Sequence, residues 1–277
     1  MPHVSGIIVA YNSEDLIVEC VEAALASGIS SLYVWENSSS GKSIEALTAV
    51  QDKRLVVLSD GTNHGFGGGI NRVLQEGVEG ELLLLINPDC FVTTEVVDCL
   101  TSVFTDPMAG VAAPLMKYRN GESGIAGGPF PSLLKEVLAK FQVDRFMPQK
   151  LKRRLLGLFR SSQNGMSIAD SLIPGHPITV DWVSGFCMML RVDLMETLRG
   201  FDEDYFLYFE DVDICRRARA QGYNVILARN TSALHLESTS TTAAGKSSHY
   251  YAGYSVYLRK HGTSRQILMA KSLGLLK

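Results

Sequence analysis

The sequence has few cysteines and none at the CxxC spacing of a zinc or redox motif. The five are Cys20, Cys90, Cys99, Cys187 and Cys215. An odd number of cysteines without metal-like spacing is typical of reduced thiols in a cytosolic protein. We therefore expect free thiols, most of them as small core residues.

The sequence also has no run of the roughly 20 apolar residues that a membrane-spanning helix needs. Its N-terminus, MPHVSGIIVAYNSEDL, has no basic segment and only a short apolar one, so no signal peptide is predicted. The formal net charge of -3 gives no bulk attraction to nucleic acid. These absences predict a cytoplasmic protein that does not bind nucleic acid.

The sequence contains enough apolar residues to form a complete hydrophobic core. The chain has 277 residues, of which 46% are hydrophobic, and this fits one large α/β domain or two small ones. Its first hundred residues alternate apolar runs (VSGIIVA, SLYVWE, RLVVLSD, ELLLLINPD) with amphipathic stretches. That alternation predicts βαβ units around a mostly parallel sheet. Ligands are then expected beyond the carboxyl ends of the strands.

A glycine cluster, GFGGGI, follows the third predicted strand. A dinucleotide fingerprint would follow the first strand, which is followed here by AYNSEDL, and no GxxxxGK[ST] motif is present. A dehydrogenase and a Walker-type nucleotidase are therefore disfavoured. Two interpretations remain for Gly65, Gly67, Gly68 and Gly69: a tight loop before a helix, or a close approach of backbone to a phosphate.

The segment NPDC ends the apolar run LLLLI and delivers Asn87 and Asp89 to the edge of the sheet. Asp89 could cap a helix that begins near Thr93. Alternatively, one carboxylate with an amide neighbour could hold Mg²⁺ or Mn²⁺ against a diphosphate, because such ions take most ligands from substrate phosphates and water.

The stretch FLYFEDVDICRRARAQGYNVILARNTSALHLES, residues 206–238, carries three crowded carboxylates. Asp211 and Asp213 lie where a helix through ICRRARAQ would start, so capping and the helix dipole favour acids there. Capping does not require Glu210 as well. The stretch therefore suggests a functional carboxylate.

Aromatic residues precede these acids, and a histidine follows the next predicted strand. The aromatics are expected to form the wall of a pocket: Tyr205, Phe206, Tyr208 and Phe209. His235 is predicted in a loop after the strand NVILA, where a lone histidine is more often an ordinary polar residue than a ligand.

A basic segment interrupts the periodic pattern between Ser132 and Arg160. It holds eight Lys or Arg residues (135, 140, 145, 150, 152, 153, 154 and 160) against the acids Glu136 and Asp144. Two interpretations stay open: contact with an anionic membrane surface, or a solvated basic helix. A helical tail is predicted after His249.

The ordered motifs resemble those of family 2 glycosyltransferases with the GT-A fold, and within them the bacterial rhamnosyltransferase-like group. The resemblance covers about residues 4–238 and rests on IIVAYNS, VWENSSSG, NHGFGGGIN, LLLLINPDC, WVSGFCMMLR, GFDEDYFLYFEDVDICRRARAQGY and ALH. It implies one α/β GT-A domain with a mostly parallel central sheet flanked by helices. Its predicted parts are a nucleotide-sugar-binding half (1–117), a variable basic segment (118–178), an acceptor and catalytic half (179–240) and a helical tail (241–277).

The resemblance also implies roles for single residues. The expected donor-binding residues are Val9, Tyr11, Glu36, Asn63, Gly67, Asn87, Asp89, Trp182 and Gly185. Asp211 matches the general base, with Glu210 beside it, while Asp89 and His235 match the ligands of Mg²⁺ or Mn²⁺. Two positions depart from the usual pattern, because Glu36 replaces an Asp and Asn87 replaces the first Asp of the DxD element.

The reaction implied by the resemblance is an inverting, metal-dependent sugar transfer without a covalent intermediate. The expected donor is dTDP-rhamnose and the expected acceptor a lipid-linked or growing surface polysaccharide, with UDP-galactofuranose, UDP-galactose and UDP-glucose as alternative donors. Two other functional classes fit the sequence less well. A nucleotidylyltransferase would need a basic glycine-rich loop after the first strand, and a non-catalytic sugar-nucleotide-binding subunit would not need Asp89, Glu210, Asp211 and His235 intact.

Overall fold

The first third of the chain forms four parallel strands with intervening helices. In the computed structural model, which describes residues 2–38, 40–140, 148, 151, 171–236 and 248–276, β1 pairs in parallel with β2 and β4, and β2 with β3. The elements are β1 (Val4–Ala10), α1 (Ile17–Ala26), β2 (Ser31–Glu36), α2 (Lys42–Leu47), β3 (Leu55–Leu58), α3 (Gly65–Gln75) and β4 (Leu82–Ile86). The βαβ prediction is confirmed.

The remaining described elements add an antiparallel strand and a second group of helices. They are β5 (Cys90–Phe91), α4 (Thr94–Val103), β6 (Ala109–Tyr118), β7 (Ser123–Gly124), β8 (Gly127–Gly128), α5 (Leu133–Lys140), β9 (Ile178–Val180), β10 (Trp182–Val183), β11 (Cys187–Arg191), α6 (Val192–Leu198), α7 (Glu210–Ala220), β12 (Asn224–His235), α8 (Ser248–His261) and α9 (Ser264–Ser272).

Within the described ranges, one large sheet has the strand order β3-β2-β1-β4-β11-β6-β12-β5, with β7 beside β6 and β9 beside β12. Strand β11 runs antiparallel to both β4 and β6, whereas β6 and β12 are parallel. The predicted mostly parallel α/β sheet with flanking helices is therefore confirmed. No helix in the described part of the chain is both long and apolar enough to cross a membrane.

Two apolar clusters stabilise this fold. The larger one follows the sheet, and its strand β4 is buried along its whole length because helices cover both faces. Burial of each such leucine or isoleucine contributes about 1.5–3 kcal/mol. The smaller cluster joins the segment before α7 to the two C-terminal helices: Tyr205, Phe209, Val212, Tyr254, Tyr257, Leu258, Ala270 and Leu275.

All five cysteines are free thiols, as predicted. Cys20, Cys90, Cys187 and Cys215 are buried, and Cys99 is partly buried. Burial raises the pKa of the Cys20 thiol to about 12, with a smaller contribution from the charge of Asp89. These thiols therefore serve as core residues.

The glycine cluster is not a loop, which corrects the simpler of the two sequence interpretations. Helix α3 already begins at Gly65, and Gly67, Gly68 and Gly69 are buried in its first turns. A Cβ atom at Gly67 would lie 2.9 Å from Cβ of Phe201, and one at Gly69 would lie 2.9 Å from Cγ1 of Val9. The glycines therefore let α3 pack closely against the sheet and the Phe201 segment.

Of the basic segment between residues 132 and 160, the structure describes residues 132–140, 148 and 151. Helix α5 contains Lys135 and Lys140, and the other six basic residues lie outside the described residues. Its membrane interpretation therefore stays a prediction. The predicted helical tail after His249 is present as α8 and α9.

Candidate active site

Strand pairing brings Asp89 and His235 together from distant parts of the chain. The short strand β5 pairs antiparallel with the end of β12, so that Cys90 faces His235. The backbone N–H of Leu236 also donates to the carbonyl oxygen of Asp89 at 2.9 Å. This pairing places the two side chains at the edge of the sheet where β4 ends.

The resulting cluster contains an imidazole, a carboxylate and an amide. His235 Nε2 lies 3.1 Å from Asp89 Oδ1 and 3.5 Å from the side-chain nitrogen of Asn87. The imidazole ring packs against Phe186, with ring centroids 5.6 Å apart. His235 Nδ1 is buried and has no hydrogen-bond partner among the described residues.

This geometry fits two ligands of one small divalent cation. Neighbouring ligands at about 2.1 Å in an octahedral shell are roughly 3 Å apart, which matches the separation of His235 Nε2 and Asp89 Oδ1. No group of three or more His, Cys, Asp or Glu side chains that could hold a metal occurs in the described part of the chain. A cation here would therefore take further ligands from phosphate oxygens or water.

The structure changes the sequence interpretation of both residues. His235 is the last residue of β12 and does not lie in a loop, because β12 continues well beyond NVILA. Asp89 does not cap the following helix. Thr93 is the N-cap of α4, and its side chain accepts a hydrogen bond from the N–H of Val96.

Helix α7 starts at Glu210, and its first turn carries all three acids. None of them is the N-cap, because Phe209 occupies that position in a left-handed conformation and makes no side-chain cap. Asp213 is buried between Arg217 Nε at 2.6 Å and His261 Nε2 at 2.7 Å. Asp213 therefore has a structural role, and Glu210 and Asp211 are the candidates for a catalytic role.

Asp211 is partly exposed, and two backbone N–H groups hold its carboxylate. Gly185 N–H donates to Oδ2 at 3.2 Å, and Val212 N–H donates to Oδ1 at 2.8 Å. Loss of solvent around the carboxylate raises the pKa of Asp211 to about 6, although these two donors oppose the rise. The group is thus ionised at neutral pH and accepts a proton readily, as a general base must.

Glu210 lies in a more enclosed environment than Asp211. Its side chain is buried, and Oε2 has no hydrogen-bond partner among the described residues. Burial, together with the charge of Asp211, holds the pKa of Glu210 well above its usual value. Desolvation therefore raises the pKa of both adjacent carboxyl groups, and the charge of Asp211 adds to the rise at Glu210.

The predicted aromatic wall is wrong for most of its members. Tyr205 and Phe209 are buried in the smaller apolar cluster, and Tyr208 packs against Tyr250 of α8. Phe206 is 44% exposed. Phe206 is therefore the most exposed of the four aromatics, and Tyr208 is partly exposed.

The residues expected at the nucleotide lie around the ends of β1 and β2. Val9 is in β1, Tyr11 is 55% exposed just after it, and Glu36 ends β2 in a fully buried position. One oxygen of Glu36 accepts a hydrogen bond from Ser38 N–H at 2.6 Å, whereas Oε2 has no partner in the described residues. A buried carboxylate oxygen without a partner can accept from a ligand hydroxyl or N–H group.

An asparagine that the sequence interpretation did not include joins this region to α3. Asn37 accepts from Trp35 Nε1 at 2.9 Å and donates to the carbonyl oxygen of Gly65 at 2.8 Å. Asn63 is also used locally, since its side chain accepts from Gly65 N–H at 2.9 Å. The position of Asn37 directly after a predicted strand was the available signal.

Trp182 packs against both apolar clusters, and Gly185 lies beside Phe66 and Asp211. Trp182 Nε1 donates to the carbonyl oxygen of Pro129 at 2.9 Å. A Cβ atom at Gly185 would lie 3.1 Å from the ring of Phe66. Gly185 therefore contacts both α3 and Asp211, whereas Gly67 faces Phe201.

Residues 2–249 match the sequence profile of the family described as glycosyltransferase like family 2. The chain is 25% identical over 260 residues to the low-salt glycan biosynthesis hexosyltransferase of Haloferax volcanii, covering 92% of this chain and 72% of that protein. It is 26% identical over 249 residues to the N-acetylglucosaminyl-diphospho-decaprenol L-rhamnosyltransferase of Mycobacterium tuberculosis, covering 84% and 76%.

The fold is similar to that of a solved mannosyltransferase from Pyrobaculum calidifontis, in complex with GDP-Man and Mn²⁺. The TM-score is 0.60 at 14% identity, and the match covers 98% of this chain and 69% of that one. At this identity the similarity supports the fold alone.

Proposed function

This chain belongs to glycosyltransferase family 2 and is a glycosyltransferase, and from that premise we propose which sugar transfer it performs. The proposed reaction moves L-rhamnose from dTDP-rhamnose, with inversion, onto a lipid-linked or growing cell-surface polysaccharide. The similarity to an L-rhamnosyltransferase that acts on N-acetylglucosaminyl-diphospho-decaprenol supports both the donor and the acceptor class.

The observation that carries the catalytic part of the proposal is the environment of Asp211. Its carboxylate is ionised at neutral pH, partly exposed, and held by Gly185 and Val212 N–H groups. In the proposed reaction, Asp211 accepts the proton of the acceptor hydroxyl while that oxygen attacks the anomeric carbon. Such general-base assistance contributes about 10²- to 10⁴-fold in rate.

The leaving group in this reaction is a nucleoside diphosphate. We assign Asp89 and His235 to a divalent cation, Mg²⁺ or Mn²⁺, whose charge when bound stabilises the departing diphosphate. The separation of 3.1 Å between Asp89 Oδ1 and His235 Nε2 supports this assignment. Asn87 is proposed to contact the diphosphate from the same edge.

The nucleoside is proposed to lie over the ends of β1 and β2. Glu36 supports this placement because its buried Oε2 lacks a partner in the described residues and can accept from a ribose hydroxyl or a base N–H group. Val9 and Tyr11 would contact the ring system, and Asn63 and Gly67 would shape the neighbouring segment. Trp182 and Gly185 are proposed to border the sugar and the acceptor.

Glu210 is proposed to support Asp211 and not to act as a second base. The Glu210 side chain is buried, whereas Asp211 is partly exposed and is the carboxylate available to an acceptor hydroxyl.

A thermal-shift screen tests the donor. The protein is heated with Mn²⁺ or Mg²⁺ and with dTDP-rhamnose, UDP-galactofuranose, UDP-galactose or UDP-glucose. A ligand at 100 times its Kd stabilises the folded state by about 2.7 kcal/mol, so the true donor should raise Tm clearly. Stabilisation by a UDP-sugar and not by dTDP-rhamnose would reject rhamnose and keep the transferase assignment.

A second experiment separates an enzyme from a non-catalytic binding subunit. The protein is given dTDP-rhamnose, Mn²⁺ and N-acetylglucosaminyl-diphospho-polyprenol, and both sugar transfer and donor hydrolysis are followed. Binding without either reaction, in a protein whose donor raises Tm, would favour the binding-subunit alternative. We propose that the enzyme works at the inner face of the cell membrane, where a lipid-linked acceptor would be available.

A further inference from the structure

The C-terminal hairpin, defined here as α8 and α9, contacts the catalytic helix although it lies almost wholly beyond the family match. That match ends at residue 249, whereas α8 runs to His261 and α9 to Ser272. The hairpin nevertheless supplies Tyr254, Tyr257 and Leu258 to the smaller apolar cluster, opposite Phe209.

Its main polar contact is a hydrogen bond from His261 to a buried carboxylate next to the proposed base. His261 Nε2 lies 2.7 Å from Asp213 Oδ1, and Asp213 is buried two residues after Asp211. Arg217 holds the other oxygen of Asp213 at 2.6 Å. A second contact, from Arg216 Nη1 to Tyr257 Oη at 2.9 Å, joins the same two helices.

The hairpin also packs against a strained turn immediately before α7. Tyr208 and Phe209 have φ angles of 69° and 73°, which are unfavourable for bulky residues and persist only when the surroundings enforce them. The Phe209 ring lies 4.9 Å from Tyr250, between ring centroids. Gly253 of α8 passes so close to the Tyr208 carbonyl oxygen that a Cβ atom there would overlap it.

The same turn reaches the other side of the site. The carbonyl oxygen of Phe206 accepts from Phe66 N–H at 3.1 Å, at the start of α3. The Phe66 ring borders Gly185, whose N–H donates to Asp211. A path of direct contacts thus runs from the hairpin through the turn at 206–209 to a hydrogen bond of the Asp211 carboxylate.

We propose that His261 is a positioning residue, which holds α7 through Asp213 so that Asp211 keeps its hydrogen bond to Gly185 and its place before the acceptor. This inference rests on the proposed role of Asp211 as general base. It gives the C-terminal hairpin a part in catalysis without contact between the hairpin and any substrate.

The first test needs no substrate. Hydrogen exchange is compared in peptides that contain Gly185 and Phe66 for the wild type, His261→Ala and His261→Gln. We expect faster exchange of both peptides in His261→Ala and near-normal exchange in His261→Gln, because the glutamine amide can still donate to Asp213. Thr263→Ala is the matched control, since it removes the capping box of α9 but not the contact with α7.

His261→Ala should fold, because Arg217 still compensates the charge of Asp213. If it does not fold, His261→Asn replaces it in the comparison with the wild type, because the Asn side chain is polar but too short to reach Asp213. The inference would be overturned if a folded variant without the contact to Asp213 showed unchanged hydrogen exchange in the Gly185 peptide.

The second test measures transfer from dTDP-rhamnose to N-acetylglucosaminyl-diphospho-polyprenol. Small displacements of a reacting group cost up to about 10²-fold, so kcat of His261→Ala should fall by at least about tenfold while the donor KM changes little. The acid limb of its pH profile should shift to higher pH, because loss of the Gly185 donor destabilises the ionised Asp211 carboxylate and raises its pKa. His261→Gln should restore both, and Thr263→Ala should alter neither.

The outcomes separate the two hypotheses. Normal transfer by His261→Ala together with inactive Asp211→Asn would reject the positioning role and leave the proposed base intact. Normal transfer by Asp211→Asn would instead reject the proposed base. An equal loss in Thr263→Ala and His261→Ala would show that the hairpin contributes stability only.

Discussion

Replacement of Asp211 by Asn is the sharpest test of the proposed mechanism. Asn keeps the shape of the side chain but cannot accept the acceptor proton, so transfer should fall by about 10²- to 10⁴-fold. That range corresponds to about 2.7–5.5 kcal/mol in transition-state free energy. Donor binding should persist, since Asp211 bonds to the backbone N–H groups of Gly185 and Val212, and an Asn oxygen can still accept from Gly185.

The structure also predicts the stability of this variant. The wild-type carboxylate accepts from two N–H groups, whereas the Asn side chain has one carbonyl oxygen and must turn its NH₂ group toward the other donor. One lost hydrogen bond costs about 1 kcal/mol, and removal of a partly desolvated charge offsets part of it. The free energy of unfolding should therefore change by no more than about 1 kcal/mol.

The pH profile of the wild type gives an independent check. Because the pKa of Asp211 is about 6 and its ionised form is the base, kcat/KM should rise with pH and reach half its plateau near pH 6. At pH 5 the rate should be about tenfold below the plateau. A folded Asp211→Asn protein with near-normal transfer, or a wild-type profile flat from pH 5 to 8, would refute the assignment.

Four further outcomes follow from the same geometry. Glu210→Gln should stay within about threefold of wild-type transfer at pH 7, because Glu210 is buried and Asp211 is the proposed base; a loss as large as that of Asp211→Asn would make Glu210 the base. His235→Ala should raise the Mn²⁺ concentration for half-maximal transfer by at least about tenfold, whereas an unchanged Mn²⁺ dependence would remove His235 from the metal site and leave Asp89. Glu36→Gln should weaken the Tm rise given by the donor, and an undiminished rise would place the nucleoside elsewhere. Anionic liposomes should retain the protein at low salt through the segment 132–160, with about 1 kcal/mol per basic residue, and should release it when the KRR run at 152–154 is neutralised; no retention by the wild type would favour a solvated helix.

The sequence by itself determined the first half of the fold. Strands β1 to β4 arise from apolar runs and the helices between them from amphipathic ones, and both patterns depend on neighbours along the chain. The ordered motifs likewise identified the family, because they depend on residue identity and order. The glycine cluster differs from its loop interpretation, because α3 already begins at Gly65 and its glycines pack closely against Phe201 and Val9.

Only the tertiary structure decided which residues are available for chemistry. Three acids in one helical turn are equivalent by spacing, yet Asp213 is committed to His261 and Arg217, which come from other positions. The sequence predicts a pocket wall from four aromatics. In the structure, Tyr205, Tyr208 and Phe209 pack instead in the apolar cluster that includes the C-terminal hairpin. Asp89 meets His235 only through the register of β5 on β12. Burial and partners of this kind are set by segments distant in the chain, so no local pattern can encode them.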